Sequence, residues 1–231
     1  MSNFKFKEVS PGWHYDKFNE PSNELQYINS IKIGDGTLNK VNNIISKPYS
    51  EGGIRRVHIG NPAEDVNSSI INERVAHMRE VGYDEDKYFI EFINDKFTEL
   101  EKQLSEQYNI SHYHCCAIIV QPGQCMPVHD DTYSYLKKYM SRDYPDVKYD
   151  LVKNVRRYLT FLTDWEWGQS LGAGNVIKWQ WKIGDVYQWG HRMLHWSSNA
   201  SMKPMVFFEI TGLELNNGSN DEYKKGFYNR Y

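Results

Sequence analysis

The chain has 231 residues and a formal net charge of -3, long enough to bury a substantial core and too acidic for a general phosphate-binding surface, which argues against nucleic acid as a partner. Its basic pairs, Arg55-Arg56, Lys137-Lys138, Arg156-Arg157 and Lys224-Lys225, are short and read as solvated faces. Met1 to Lys7 lacks the apolar region of a secretion signal, and no apolar run reaches membrane-spanning length, so a cytoplasmic protein without a membrane partner is expected.

In chain order, a first helix is predicted from Thr37-Leu38 to Lys47, with Leu38, Val41, Ile44 and Ile45 at helical spacing, Thr37 as cap and Pro48 beyond its end. Ser68 or Ser69 caps a second, with Ile70, Ile71, Val75 and Met78 on one side and Gly82 after it. A third runs from about Asp84 to Tyr108, where Phe89, Ile90, Ile93, Phe97, Leu100 and Leu104 recur every three or four residues.

After Asn109 the pattern changes to strands. They are predicted at His114 to Gln121 (stopped by Pro122-Gly123), Val155 to Thr163, Val176 to Trp181, Asp185 to Trp189 and Met205 to Thr211. A helical half packed on short antiparallel strands suggests a jelly roll with a helical buttress, as a single domain. Residues 1–111 are expected to form the helical or mixed buttress, 112–215 the jelly-roll core with the candidate chemistry, and 216–231 a tail. The polar, Tyr-rich segment Thr132 to Asn154 shows no clear apolar period and is expected to be a mobile lid. The three cysteines are Cys115, Cys116 and Cys125; the adjacent pair points to opposite faces of a strand and makes a poor disulfide framework, which suits a reduced protein.

Chemistry concentrates in Pro127-Val128-His129-Asp130-Asp131, answered far downstream by His195. His129 and Asp131 form an H-x-D pair whose side chains share one strand face, and a third imidazole from a neighbouring strand completes a 2-His-1-carboxylate face. Such a face leaves three positions of an octahedral Fe(II) open. Asp130 is the rival carboxylate, directed the other way by an extended backbone, and His191 is the rival distal imidazole.

From Val120 to Leu213 the chain resembles the Fe(II)/2-oxoglutarate-dependent oxygenases, in particular the branch with aspartyl/asparaginyl- and prolyl-hydroxylase-like members. The resemblance is carried by Gln121-Pro122-Gly123 with Pro127 to Asp131, Arg157 to Trp165 with Gly168, Trp181 to Asp185 with Trp189, and His195 with Asn199 running into Phe208 to Gly212. It implies a mostly β double-stranded β-helix (cupin-like) fold, Fe(II) held by His129, Asp131 and His195, 2-oxoglutarate as cosubstrate with Asn199 beside it, and hydroxylation of an amino acid, a peptide or a protein side chain. The family's basic residue for the remote carboxylate falls here on Met205, which cannot pair with it. The substitutes are Lys203, on the same strand face, and Arg157, which can grip a carboxylate bidentately; Arg156 takes that role if the strand register shifts by one.

Six of the seven tryptophans lie between Trp165 and Trp196, a sheet core and rim or a substrate platform for a sugar, a cation or a base. His112, His114 and Cys116 share one face of an alternating strand, the spacing of a soft zinc site. Two other functions stay open: a cupin-like metal enzyme that does not use 2-oxoglutarate, and a non-catalytic, Trp-rich carbohydrate-binding β-sandwich.

Overall fold

The computed structural model describes residues 25–47, 53–58, 89–129, 133–174, 176–190, 193–214 and 226–228. The framework is a run of eight strands: β4 (Ile110–Val120), β5 (Cys125–His129), β6 (Val155–Phe161), β7 (Gln169–Ala173), β8 (Val176–Lys178), β9 (Asp185–Trp189), β10 (His195–Asn199) and β11 (Met205–Glu214). The first four pair antiparallel with the last four in reverse order: β4 with β11, β5 with β10, β6 with β9 and β7 with β8. The chain is thus one long hairpin wound on itself, in two sheets ordered β9-β6-β11-β4 and β5-β10-β7-β8. That winding is a double-stranded β-helix.

The N-terminal half widens the larger sheet rather than only buttressing it. β1 (Gln26–Ser30) pairs with β9, β2 (Ile54–His58) with β3 (Phe89–Ile93), and β3 with β4. A short β12 (Gly226–Tyr228) runs parallel to β4. Helices α1 (Asp35–Ile45) and α2 (Thr98–Gln107) cover the sheet's outer face, burying Val41, Ile44, Leu100 and Leu104 against Ile119, Val206, Phe208 and Ile210.

Several expectations change. The long helix from Asp84 to Tyr108 is instead strand β3, a turn, and helix α2. Phe89-Ile90-Glu91-Phe92-Ile93 satisfies a strand as well as a helix, and the free edge of β4 decides for the strand. The helix expected after Ser68 lies outside the described residues. Thr37 sits buried in the first turn of α1, whose N-cap is Gly34 with no side-chain cap bond. β7 was not among the predicted strands, and β9 and β10, though consecutive in the chain, lie in different sheets. The expected lid carries helix α3 (Ser134–Asp143), whose Leu136 and Met140 pack with Tyr133, Tyr139, Val155 and Leu213; the apolar period is present, built largely from tyrosines. No helix among the described residues is long and apolar enough to cross a membrane.

Strand alternation and register arrange the inward face of the larger sheet in rungs. One rung holds His114, Thr211, Arg157 and Trp189, and the next Cys116, Glu209, Leu159 and Tyr187. Ile118, Phe207 and Phe161 follow, then Val120 and Met205. One end of the barrel is therefore polar, while the other is filled by apolar side chains, including Trp181 stacked on Phe161 with ring centroids 4.1 Å apart.

Candidate metal centre

His129 ends β5 and His195 begins β10, and the two are direct Cα partners in the antiparallel pair. Directly opposed residues hold their Cβ atoms about 4.5–5.5 Å apart, close enough for two imidazoles to reach one ion. The register slips just beyond them. Three steps along β5 (Met126 to His129) match two along β10 (Ser197 to His195), so Pro127-Val128 forms a bulge beside the site. Two sequence signals thus meet at one sheet end because β5 and β10 are partners in the wound hairpin.

The His195 ring is buried, with Nδ1 3.0 Å from the Met193 carbonyl oxygen. A carbonyl only accepts, so Nδ1 carries a proton, and in the neutral ring this leaves the lone pair on Nε2, the tautomer a metal ligand needs. The ring sits 5.2 Å from that of Trp189, which places His195 at the level of the polar rung. Asp131, its rival Asp130 and His191 lie outside the described residues, as does the His129 side chain. Among the described residues no three His, Cys, Asp or Glu side chains gather around a possible metal position. The two backbone positions and the His195 tautomer fit an ion bound through imidazole nitrogens.

The expected cosubstrate residues separate widely. Arg157 is buried in the polar rung, where its Nε donates to Thr211 Oγ1 at 3.0 Å. Its guanidinium carbon lies 5.2 Å from the Tyr133 ring centre and 5.8 Å from that of Trp189. Lys203 lies at the other end of the barrel, beyond β10, with an exposed ammonium paired with Glu166. Its distance from the polar rung removes it as a carboxylate anchor there: Met205 alone is six residues from Thr211 on β11, about 20 Å at strand rise. Asn199 is also corrected. Its Nδ2 donates to the carbonyls of Val120 (2.7 Å) and Lys203 (2.8 Å), and its Oδ1 accepts from the Ser201 amide and hydroxyl. All four amide positions are used to pin the β10–β11 loop, so none remains for a cosubstrate. Arg156 points outward and pairs with Glu214 at 2.9 Å.

The zinc reading fails locally. His112 takes a positive φ of 45°, which breaks the strand alternation, and its ring meets Ser111 at 3.0 Å and Tyr144 edge-on at 4.4 Å. The tryptophans divide between core and surface. Trp181 and Trp189 are buried, whereas Trp167 and Trp179 are 81% and 54% exposed. Two neighbours of Arg157, Thr211 and Tyr133, were not singled out by the sequence pattern. Register alone places the first beside Arg157, and a left-handed backbone at φ 51° turns the second onto it.

No family model matches the chain, and no curated protein matches it. Solved structures do. The α-ketoglutarate-dependent carbocyclase SnoK from nogalamycin biosynthesis is 11% identical, with 79% of this chain and 85% of that one covered at a TM-score of 0.40. The viral collagen prolyl hydroxylase vCPH of Paramecium Bursaria Chlorella virus-1 is 10% identical over 83% of this chain and 100% of that one, with a TM-score of 0.37. EvdO2 from Micromonospora carbonacea var. aurantiaca, complexed with 2-oxoglutarate, is 10% identical over 85% and 98%, with a TM-score of 0.35.

Proposed function

We propose that this chain is an Fe(II)- and 2-oxoglutarate-dependent dioxygenase that hydroxylates an amino acid, a peptide or a protein side chain. The observation that carries this reading is the direct pairing of His129 with His195 at the polar end of the barrel, level with the buried Arg157. His129, Asp131 and His195 would hold the iron, the donor set that suits Fe(II) and leaves positions open. With dioxygen as the oxidant, iron and 2-oxoglutarate bound together would supply the chemistry that hydroxylates a C–H bond.

The chain's own part is positional. The Met193 carbonyl holds His195 in its ligating tautomer. Arg157 offers a fixed positive charge for a carboxylate, steadied by Thr211, Tyr133 and Trp189. The apolar rungs from Ile118 to Met205 close the far end of the barrel to a charged group, which confines a dicarboxylate to the polar rungs.

Anaerobic addition of Fe(II) and then 2-oxoglutarate, followed by visible absorption, tests the reading. A charge-transfer band that appears only with both supports it. Iron binding without any response to 2-oxoglutarate moves the protein to the metal enzymes that do not use this cosubstrate. Binding of neither removes the metal reading altogether.

A further inference from the structure

The smaller sheet turns one face into the barrel and the other outward, and the proposed chemistry uses only the inner one. Along β10 the burial alternates: His195, Ser197 and Asn199 are buried, while Trp196 and Ser198 point outward and are partly exposed. Trp196 is the Cα partner of Gly172, and Gly172 is the partner of Ile177 on β8, which is 50% exposed. A Cβ at Gly172 would meet Nε1, Cε2 and Cζ2 of the indole at 2.1, 2.2 and 2.7 Å. Such similar distances set the ring across the glycine, with one π face on the sheet and the other turned outward.

One row along, at about 7 Å by strand rise, Ser198 is the Cα partner of Ser170 on one side and of the exposed Cys125 on the other. The two hydroxyls lie 2.9 Å apart. Their mutual bond uses one proton, so the pair keeps an O–H and several lone pairs for a ligand. Among the described residues, none that points outward from these four strands carries a charge. Lys178 faces inward, with its ammonium over the Tyr187 ring.

The extent and the charge of this face select its occupant. Four strands about 4.8 Å apart and two rows of side chains cover on the order of 300 Å². A stable protein interface needs roughly 800 Å² per partner, so the face is too small to hold a second copy of the chain. An ion finds no counter-charge on it. A sugar ring does fit, because its axial C–H bonds are slightly positive and meet the electron-rich face of the indole. We propose that the outward face of the smaller sheet binds a neutral carbohydrate, with one ring stacked on Trp196 and its hydroxyls bonded to Ser170 and Ser198. Ile177 forms the apolar margin on β8. The site lies outside the barrel, on the opposite face of β10 from His195, and does not rest on the metal reading.

The test titrates the full chain with neutral oligosaccharides: cellopentaose, xylopentaose, mannopentaose, maltopentaose and chitopentaose. At least one should bind. Trp196→Ala should weaken it by about tenfold or more, since stacking and apolar contact are lost together. Ser198→Ala should weaken it by about threefold, the effect of one neutral hydrogen bond. Trp196→Phe, which keeps a smaller ring, should recover part of the loss, and the far-ultraviolet circular dichroism of all three should match the wild type. The bound sugar should also slow the reaction of the Cys125 thiol with an aromatic disulfide. Silence of the whole panel overturns the proposal, and so does binding that keeps its full strength in Trp196→Ala and Ser198→Ala. A wild-type dimer in sedimentation that Trp196→Ala dissociates would overturn it too, by giving the face to a second copy.

Discussion

Arg157 donates its Nε–H to the hydroxyl of Thr211 at 3.0 Å, and the two are Cα partners on β6 and β11. Both side chains are buried, so the guanidinium lies inside the barrel in a fixed plane, with Tyr133 and Trp189 on its other sides. Removing this cation should therefore matter far more to a carboxylate than removing Lys203. Arg157→Ala is expected to weaken 2-oxoglutarate by about 2–4 kcal/mol, the usual cost of losing one member of a buried charged pair. Lys203→Ala should leave it within error. Calorimetry on the Mn(II)-loaded protein reads both, and equal effects would contradict the assignment.

Thr211 itself gives a finer test. Thr211→Val keeps the shape and deletes the acceptor, which leaves Arg157 Nε–H without this partner. Affinity for 2-oxoglutarate should fall by about 1–2 kcal/mol, and Thr211→Ser should restore it. If valine and serine behave alike, the hydroxyl does not position the guanidinium.

The metal assignment predicts that His129→Ala and His195→Ala each abolish stoichiometric iron binding, with the far-ultraviolet circular dichroism of the wild type retained. Asp131→Ala should weaken it strongly. Metal content after anaerobic dialysis measures all three, and full occupancy in either histidine variant would show the triad to be misassigned.

Gly172 controls the outer face of the smaller sheet. It is the Cα partner of Trp196, whose indole lies across it: a Cβ there would come within 2.1 Å of Trp196 Nε1 and 2.2 Å of Cε2. Gly172→Val must displace the indole, at a cost of about 1–3 kcal/mol for an overpacked contact. Chemical denaturation should show this loss, and an unchanged midpoint would mean that the indole is free to leave.

His112 predicts a pH effect on stability. Burial holds its imidazole below the ordinary value of 6.5, so the folded protein favours the neutral ring. The unfolded chain takes up the proton more readily. Its contribution is fully present above pH 6.5 and declines as the pH falls from there through the lowered native value. His112→Asn should flatten the wild type's loss of melting temperature on the acid side of 6.5 in metal-free protein. Parallel curves for the two proteins would assign the acid loss to other groups.

Local chemistry made much of this protein legible. Pro122-Gly123 marks the β4–β5 turn, and the apolar runs of β4, β6, β9 and β11 identify themselves because a strand buried on both faces needs apolar residues throughout. The H-x-D pair and a distal histidine suggested a metal. The segments that misled were ambiguous in a physical sense: Phe89 to Ile93 suits a helix or a strand, and a period built from Tyr133, Leu136, Tyr139 and Met140 hides among polar neighbours.

The sequence by itself determined which residues can do chemistry: His129 and His195 as nitrogen donors, Arg157 and Lys203 as cations. Which of them meet was decided only by the tertiary structure. Winding the hairpin pairs β5 with β10 and sets His129 opposite His195, more than sixty residues away. The same winding keeps Arg157 in the polar rung and carries Lys203 to the far end, where it joins Glu166. Residue type sets what a side chain can bind, whereas strand register sets its depth in the barrel, and register depends on contacts between segments too distant in the chain for any local pattern to encode.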